Sequence, residues 1–236
     1  MEFTPEQHKT WAELYRRQLP LAEAHACREY LEGFELLGLP AEAIPSLEHL
    51  NSRITPATGW TVVPTSVGYS DAVEWYDQFS NKRFLISDYM RSWDELDWAP
   101  EPDLFHDIFG HLPFMMLPGY AELQEMFAPA FLATEDEEER ENIKCLAWFS
   151  LEFGVVRESG GHKIFGAGLL SDGDEMLDVI DGGVPLHEFT VENVILRDKT
   201  ADRKNRELFV FDSMQAVKAE LARYFDPILE RSRAEA

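Results

Sequence analysis

Cysteine is scarce in this 236-residue chain. Only Cys27 and Cys145 are present, so a disulfide framework is excluded by count and a reducing compartment is expected. Both lie in apolar patterns of helical period and read as buried thiols. Long hydrophobic runs are missing too. No stretch approaches the roughly 20 apolar residues of a membrane helix. The start, Met1-Glu2-Phe3-Thr4-Pro5-Glu6, has no basic segment followed by an apolar one, as a secretory signal would. Positive charge is outnumbered: 21 Lys and Arg stand against 44 Asp and Glu, a net charge of −23. Such a chain is repelled by the phosphates of a nucleic acid and by an anionic bilayer. A cytoplasmic protein with no nucleic-acid or membrane partner is expected.

The remaining composition, 45% hydrophobic and 28% charged, is that of a globular protein. The length suits one domain with a substantial core. Thr4-Pro5-Glu6-Gln7 reads as a capping box with proline at the first helical position. Apolar residues of helical period follow to about Gly33, with a break expected at Pro20. Residues 39–59 should be short helices and loops, 61–63 a strand, and 71–84 and 88–95 helices. Residues 96–120 read as irregular in places. Thr134, ahead of an acidic run, should cap a helix that continues through Trp148 to about Phe153. Residues 189–191 and 209–211 are strand candidates, and 213–225 a closing helix. The class is mainly α with a few short β-strands, in a single domain spanning residues 1–236.

The densest chemistry runs from Glu101 to Pro113, Glu-Pro-Asp-Leu-Phe-His-Asp-Ile-Phe-Gly-His-Leu-Pro. Its histidines, His106 and His111, stand five apart, which on an α-helix is about 140° around the axis. They can share one metal if the helix ends between them, with Gly110 left-handed and Pro113 barring continuation. Two histidines used only in packing and capping are the plainer alternative. Glu152 is the candidate third ligand. It lies within Trp148-Phe149-Ser150-Leu151-Glu152-Phe153-Gly154, and a carboxylate among such neighbours needs a cation when buried. A buried salt bridge or an outward-pointing Glu152 would also fit. Two histidines and a carboxylate are the ligand set of the non-haem Fe(II) oxygenases and also of zinc hydrolases. Ligand types alone leave both open.

Three segments, in order, resemble one family. The stretch from Glu101 to Pro113 is similar to the Glu-Pro-Asp, His-(Glu/Asp), Gly-His-x-Pro signature of the pterin-dependent aromatic amino acid hydroxylases. Trp148 to Gly154 resembles the family's Trp-(Phe/Tyr)-Thr-Val-Glu-Phe-Gly. Phe165-Gly166-Ala167-Gly168-Leu169-Leu170-Ser171 resembles its Tyr-Gly-Ala-Gly-(Leu/Ile)-Leu-Ser. The segments around Trp11, Leu37-Gly38-Leu39-Pro40 and Thr58-Gly59-Trp60 are similar to the bacterial phenylalanine hydroxylases, and the likeness extends over about residues 4–220. It implies an aromatic amino acid hydroxylase made of the catalytic domain alone, with neither a regulatory nor a tetramerisation domain, and a monomer. It implies Fe(II) held by His106, His111 and Glu152, a tetrahydropterin (tetrahydrobiopterin or a bacterial analogue), and O2 as co-substrate.

The same likeness assigns Arg91 to the substrate carboxylate, Asp103 to the support of Arg91, and Trp148 and Phe153 to the wall around the substrate ring. Gly168 and Ser171 fall in the segment closing the amino-acid pocket. Gly68 and Tyr69 fall in the pterin loop, Trp75 where a ring stacks on the pterin, and Asp107 at the acid near it. The implied reaction is ring hydroxylation, L-phenylalanine to tyrosine, with L-Trp or L-Tyr as substrate, or 3-hydroxylation, as alternatives. A zinc hydrolase and a non-catalytic homologue are more distant alternatives. The pterin loop departs from the family pattern, as do Tyr76-Asp77, Ala147 and Asp172.

Overall fold

Thr4 opens the first helix as its sequence requires. Its hydroxyl accepts the Gln7 N–H at 3.2 Å, and Gln7 Oε1 accepts the Thr4 N–H at 2.9 Å. The computed structural model describes residues 1–66, 72–97, 99, 101–158, 160–197 and 204–235. In chain order the helices are α1 (Pro5–His25), α2 (Arg28–Leu37), α3 (Leu47–Thr58), α4 (Ala72–Ser80), α5 (Pro118–Glu125), α6 (Phe127–Leu132), α7 (Glu137–Ala147), α8 (Ala167–Ser171), α9 (Gly173–Ile180), α10 (Val191–Val194) and α11 (Met214–Glu235). The strands are β1 (Thr61–Thr65), β2 (Arg83–Ser87), β3 (Val155–Glu158), β4 (Gly161–Ile164), β5 (Leu186–Glu188) and β6 (Leu208–Phe211). Two segments are π-helical, His106–His111 and Trp148–Glu152. Among the described residues no helix is long and apolar enough to cross a membrane.

The class is as expected, but several boundaries moved. Helix α1 runs through Pro20, because Trp11, Leu14, Gln18 and Ala22 form one buried stripe that spans the proline. The break comes instead at Ala26 and Cys27, where the Cys27 N–H leaves the helix to bond the Ile164 carbonyl at 2.9 Å. Helix α7 is capped by Asp136, which accepts the Glu139 N–H at 3.0 Å. Thr134 braces the turn by donating to Glu139 Oε2 at 2.6 Å. Within 88–95 only a 3₁₀ turn forms, Trp93–Glu95. Of the strand expected at 189–191, Thr190 instead caps α10 by accepting the Asn193 N–H, and the strand falls just before it.

Strand β2 lies partly in a stretch read as helix. It pairs in parallel with β1, from Thr61 opposite Arg83 to Thr65 opposite Ser87. The other sheet has the order β4-β3-β6-β5, with β3 and β4 antiparallel and β6 parallel to both of its neighbours. All four residues of β6 are buried, as befits a central strand. The core wraps the first π-helical segment. Phe105 and Phe109 stack at 4.8 Å, Trp11 meets Phe105 edge-on, and the Tyr30 hydroxyl donates to the Phe109 carbonyl at 2.8 Å.

Candidate metal centre and amino-acid site

The helix carrying His106 does not end before His111. It widens. In a π-helix the bond runs from residue i to i+5, so residues five apart come to lie over one another. The pair that an α-helix would point apart therefore converges, with Nε2 atoms 3.1 Å from each other. Gly110 is not left-handed. It is needed for close approach: a Cβ there would lie 2.6 Å from the Ala167 carbonyl oxygen of α8, which crosses this turn.

A second π-helical segment carries Glu152, closed by the Phe153 N–H on the Trp148 carbonyl at 2.9 Å. Gly166 passes so near that a Cβ would sit 2.2 Å from the Glu152 carbonyl oxygen. Glu152 Oε1 lies 3.1 Å from His111 Nε2, and Oε2 lies 3.6 Å from His106 Nε2. Among the described residues these three form one cluster of metal-capable donors, all within 4.8 Å of one another. A metal with donors about 2.1 Å away and at right angles on one face needs them about 3.0 Å apart. Two of the three separations match that edge closely, so the residues fit a facially bound divalent ion.

The charges fit as well. Burial, then the neighbouring His111, push His106 down to about 4, so its ring is neutral near pH 7. Burial pushes the Glu152 carboxyl up, but the facing His111 and His106 outweigh it and hold it below the usual range. Burial also drives His111 down, and Glu152 more than reverses this. An anionic carboxylate beside the unprotonated His106 imidazole is a donor pair for a cation, and a bound cation would displace the proton that Glu152 favours on His111.

Ser171 was expected in the amino-acid pocket; its hydroxyl lies against a metal-site histidine. Its Oγ is 2.9 Å from His106 Nδ1 and donates its own hydrogen to the Ala167 carbonyl at 3.0 Å. It therefore accepts from Nδ1–H, which leaves the Nε2 lone pair turned to the cluster. His111 has no such brace. Its Nδ1 is buried and unpartnered among the described residues, and its ring packs on Phe84 at 5.4 Å.

Arg91 and Asp103 form a buried fork, Nε to Oδ2 at 2.8 Å and Nη2 to Oδ1 at 3.0 Å. Asp103 is fully buried and also accepts the backbone N–H of His106 at 3.1 Å, so one carboxylate ties the arginine to the histidine-bearing turn. Trp148 and Phe153 are half-buried with ring centroids 4.6 Å apart. Gly168 makes room for Phe153, whose ring carbon Cζ would be 2.8 Å from a Cβ there.

Asp107 is buried, accepts the Ser87 N–H at 2.6 Å, and is pushed by burial up to about 7. Trp75 is half-buried and stacks on Phe79 at 5.1 Å. Its neighbour Tyr76, one of the departures from the family pattern, belongs to the core, stacked on Phe131 at 4.1 Å, while Asp77 is exposed. Gly68 and Tyr69 lie outside the described residues. Sequence reasoning missed Tyr30, which holds the Phe109 carbonyl, and Asn205 with Glu175, which hold the Trp148 indole. No local pattern marks them, because each acts across 30 or more positions of chain.

With this geometry in hand, known proteins resemble the chain along nearly its whole length. A family model described as biopterin-dependent aromatic amino acid hydroxylase matches residues 1–233. A phenylalanine-4-hydroxylase of Ralstonia nicotianae is 33% identical over 229 residues, covering 97% of this chain and 73% of that one. A crystal structure of the Chromobacterium violaceum phenylalanine hydroxylase with iron(III) and oxidised 7,8-dihydrobiopterin superposes with a TM-score of 0.89 at 31% identity, covering 97% of this chain and 84% of that one. The cold-active phenylalanine hydroxylase of Colwellia psychrerythraea gives a TM-score of 0.90 at 27% identity, covering 100% of this chain and 91% of that one. These comparisons do not favour a zinc hydrolase. The donor cluster, the arginine fork and the match of fold and sequence converge, and the chain belongs to the biopterin-dependent aromatic amino acid hydroxylase family.

Proposed function

We propose that this protein is an iron- and tetrahydropterin-dependent monooxygenase that converts L-phenylalanine to tyrosine. One observation carries the reading. A facial set of two imidazole nitrogens and a carboxylate is joined through Asp103 to an arginine suited to an amino-acid carboxylate.

His106, His111 and Glu152 would hold the iron. When bound, iron and tetrahydropterin supply the oxygen chemistry: two electrons come from the pterin, one atom of O2 goes to the ring and the other to the pterin. The chain's own groups bind and orient. Arg91 receives the substrate carboxylate through the guanidinium edge that Asp103 leaves free. Asp103 sets the distance between that anchor and the metal cluster, because it bonds both. Trp148 and Phe153 give the substrate ring an apolar wall and exclude water beside it. Ser171 keeps the His106 nitrogen aimed at the cluster. Trp75 and Asp107, with Gly68 and Tyr69, are assigned to the pterin side. The chain forms a single catalytic domain and works as a cytoplasmic monomer.

The test is turnover. Protein loaded with Fe(II) is given a tetrahydropterin, air and, separately, L-Phe, L-Tyr and L-Trp, with products separated by chromatography and weighed. Tyrosine formed from L-Phe, only when both iron and pterin are present, is the expected result. A different hydroxylated isomer or a preferred L-Trp would move the assignment within the family. No oxygenated product from any of the three, with iron and pterin bound, would overturn it.

A further inference from the structure

Trp148 is tethered by a polar network that packing alone does not require. Its indole Nε1–H donates to Asn205 Oδ1 at 3.0 Å. The amide cannot turn round, because Asn205 Nδ2 and the Asn205 backbone N–H both donate to Glu175 Oε1, at 3.0 and 2.9 Å. Glu175 stands in the first turn of α9, its own N–H held by Asp172 Oδ1 at 3.0 Å. Asn205 is only 6% exposed and Glu175 7%, so water competes poorly for these bonds. Burial holds the Glu175 carboxyl above its usual range, and the two Asn205 donors offset only part of that. A sheltered carboxylate costs the fold unless it is well satisfied, and here it is spent on fixing one amide.

That amide fixes one ring. Trp148 is half-buried, its ring 4.6 Å from that of Phe153. An indole free to swing would change the width of the space next to Phe153. The geometry points to Asn205 as a positioning residue: backed by Glu175, it sets the plane of Trp148 and so the fit of the aromatic ring that the site accepts. This rests on the proposed reading of Trp148 as the wall for the substrate ring.

The test removes the amide donor that holds Asn205 on Glu175. Asn205→Asp puts a carboxylate against Glu175 and breaks the tether. Its KM for L-Phe should rise about tenfold, equivalent to about 1.4 kcal/mol and one lost hydrogen bond. The preference for L-Phe over L-Trp should narrow, with kcat and iron content little changed. Trp148→Phe removes the indole donor without adding charge, and should reproduce the altered preference should Asn205→Asp fail to fold. Parent KM and preference in the folded Asn205→Asp and Trp148→Phe variants would overturn the inference. Trp148→Ala separates the two claims. Unchanged KM there overturns the wall reading and this inference together, whereas raised KM there with parent-like Asn205 variants overturns this inference alone.

Discussion

Asp103→Asn tests the joint between the amino-acid anchor and the metal cluster. Asp103 is fully buried and accepts four hydrogen bonds. Oδ2 takes Arg91 Nε at 2.8 Å and the Arg91 backbone N–H at 3.1 Å. Oδ1 takes Arg91 Nη2 at 3.0 Å and the His106 backbone N–H at 3.1 Å. All four partners are donors. An asparagine must point its NH2 at one pair of them, whichever way the amide turns, and it leaves the buried Arg91 cation without its counter-charge. Removing one partner of a buried ion pair costs about 3–5 kcal/mol. For a chain of this size about 1 kcal/mol moves the midpoint by about 2–4 °C, so the fall should be roughly 6–20 °C. The assay is thermal unfolding followed by circular dichroism on metal-free protein, paired with the KM for L-Phe on iron-loaded protein. KM should rise because the guanidinium loses its orientation. A midpoint lowered by less than about 2 °C, together with an unchanged KM, would refute the reasoning.

Glu152→Ala removes the third donor, and iron bound per chain, measured by metal analysis, should fall sharply; full iron occupancy would remove Glu152 from the ligand set. Gly110→Ala places a methyl 2.6 Å from the Ala167 carbonyl oxygen, so α8 must retreat and draw Ser171 off His106. A competition titration should show iron affinity lower by about 10–100-fold. Tyr30→Phe leaves the Phe109 carbonyl without its 2.8 Å donor, and denaturant unfolding should show a loss of about 1–3 kcal/mol while bound iron stays at the parent level. Cys27 is fully buried, and burial drives its thiol far above the ordinary range. Both thiols should therefore resist a water-soluble thiol reagent in native protein and react on unfolding.

Much of this molecule was legible because its signals are local. The Thr4–Gln7 capping box forms within one turn and needs nothing else, so it could be read directly. The three candidate ligands could be singled out by residue type, and the family resemblance chose among the uses that type alone left open. The path by which the histidines meet was not legible. An α-helix separates positions five apart, and reading a left-handed Gly110 was the local way to reconcile them. The chain instead widens into a π-helix, with α8 packed against Gly110 and Tyr30 satisfying the Phe109 carbonyl, contacts that lie far along the chain. Strand β2 was missed for a related reason: its hydrogen bonds are made with β1, across a helix that separates the two.

Residue chemistry, charge, the start of α1 and the candidate ligand types were thus determined by the sequence itself, because propensity and donor chemistry belong to single residues and their near neighbours. Tertiary structure alone decided that α1 would run through Pro20 and stop where Cys27 bonds Ile164. It also decided that Ser171 would brace His106, and that Asn205 would reach Trp148. These arrangements depend on backbone and side chains meeting across tens of residues, and such meetings are settled by how the whole core packs.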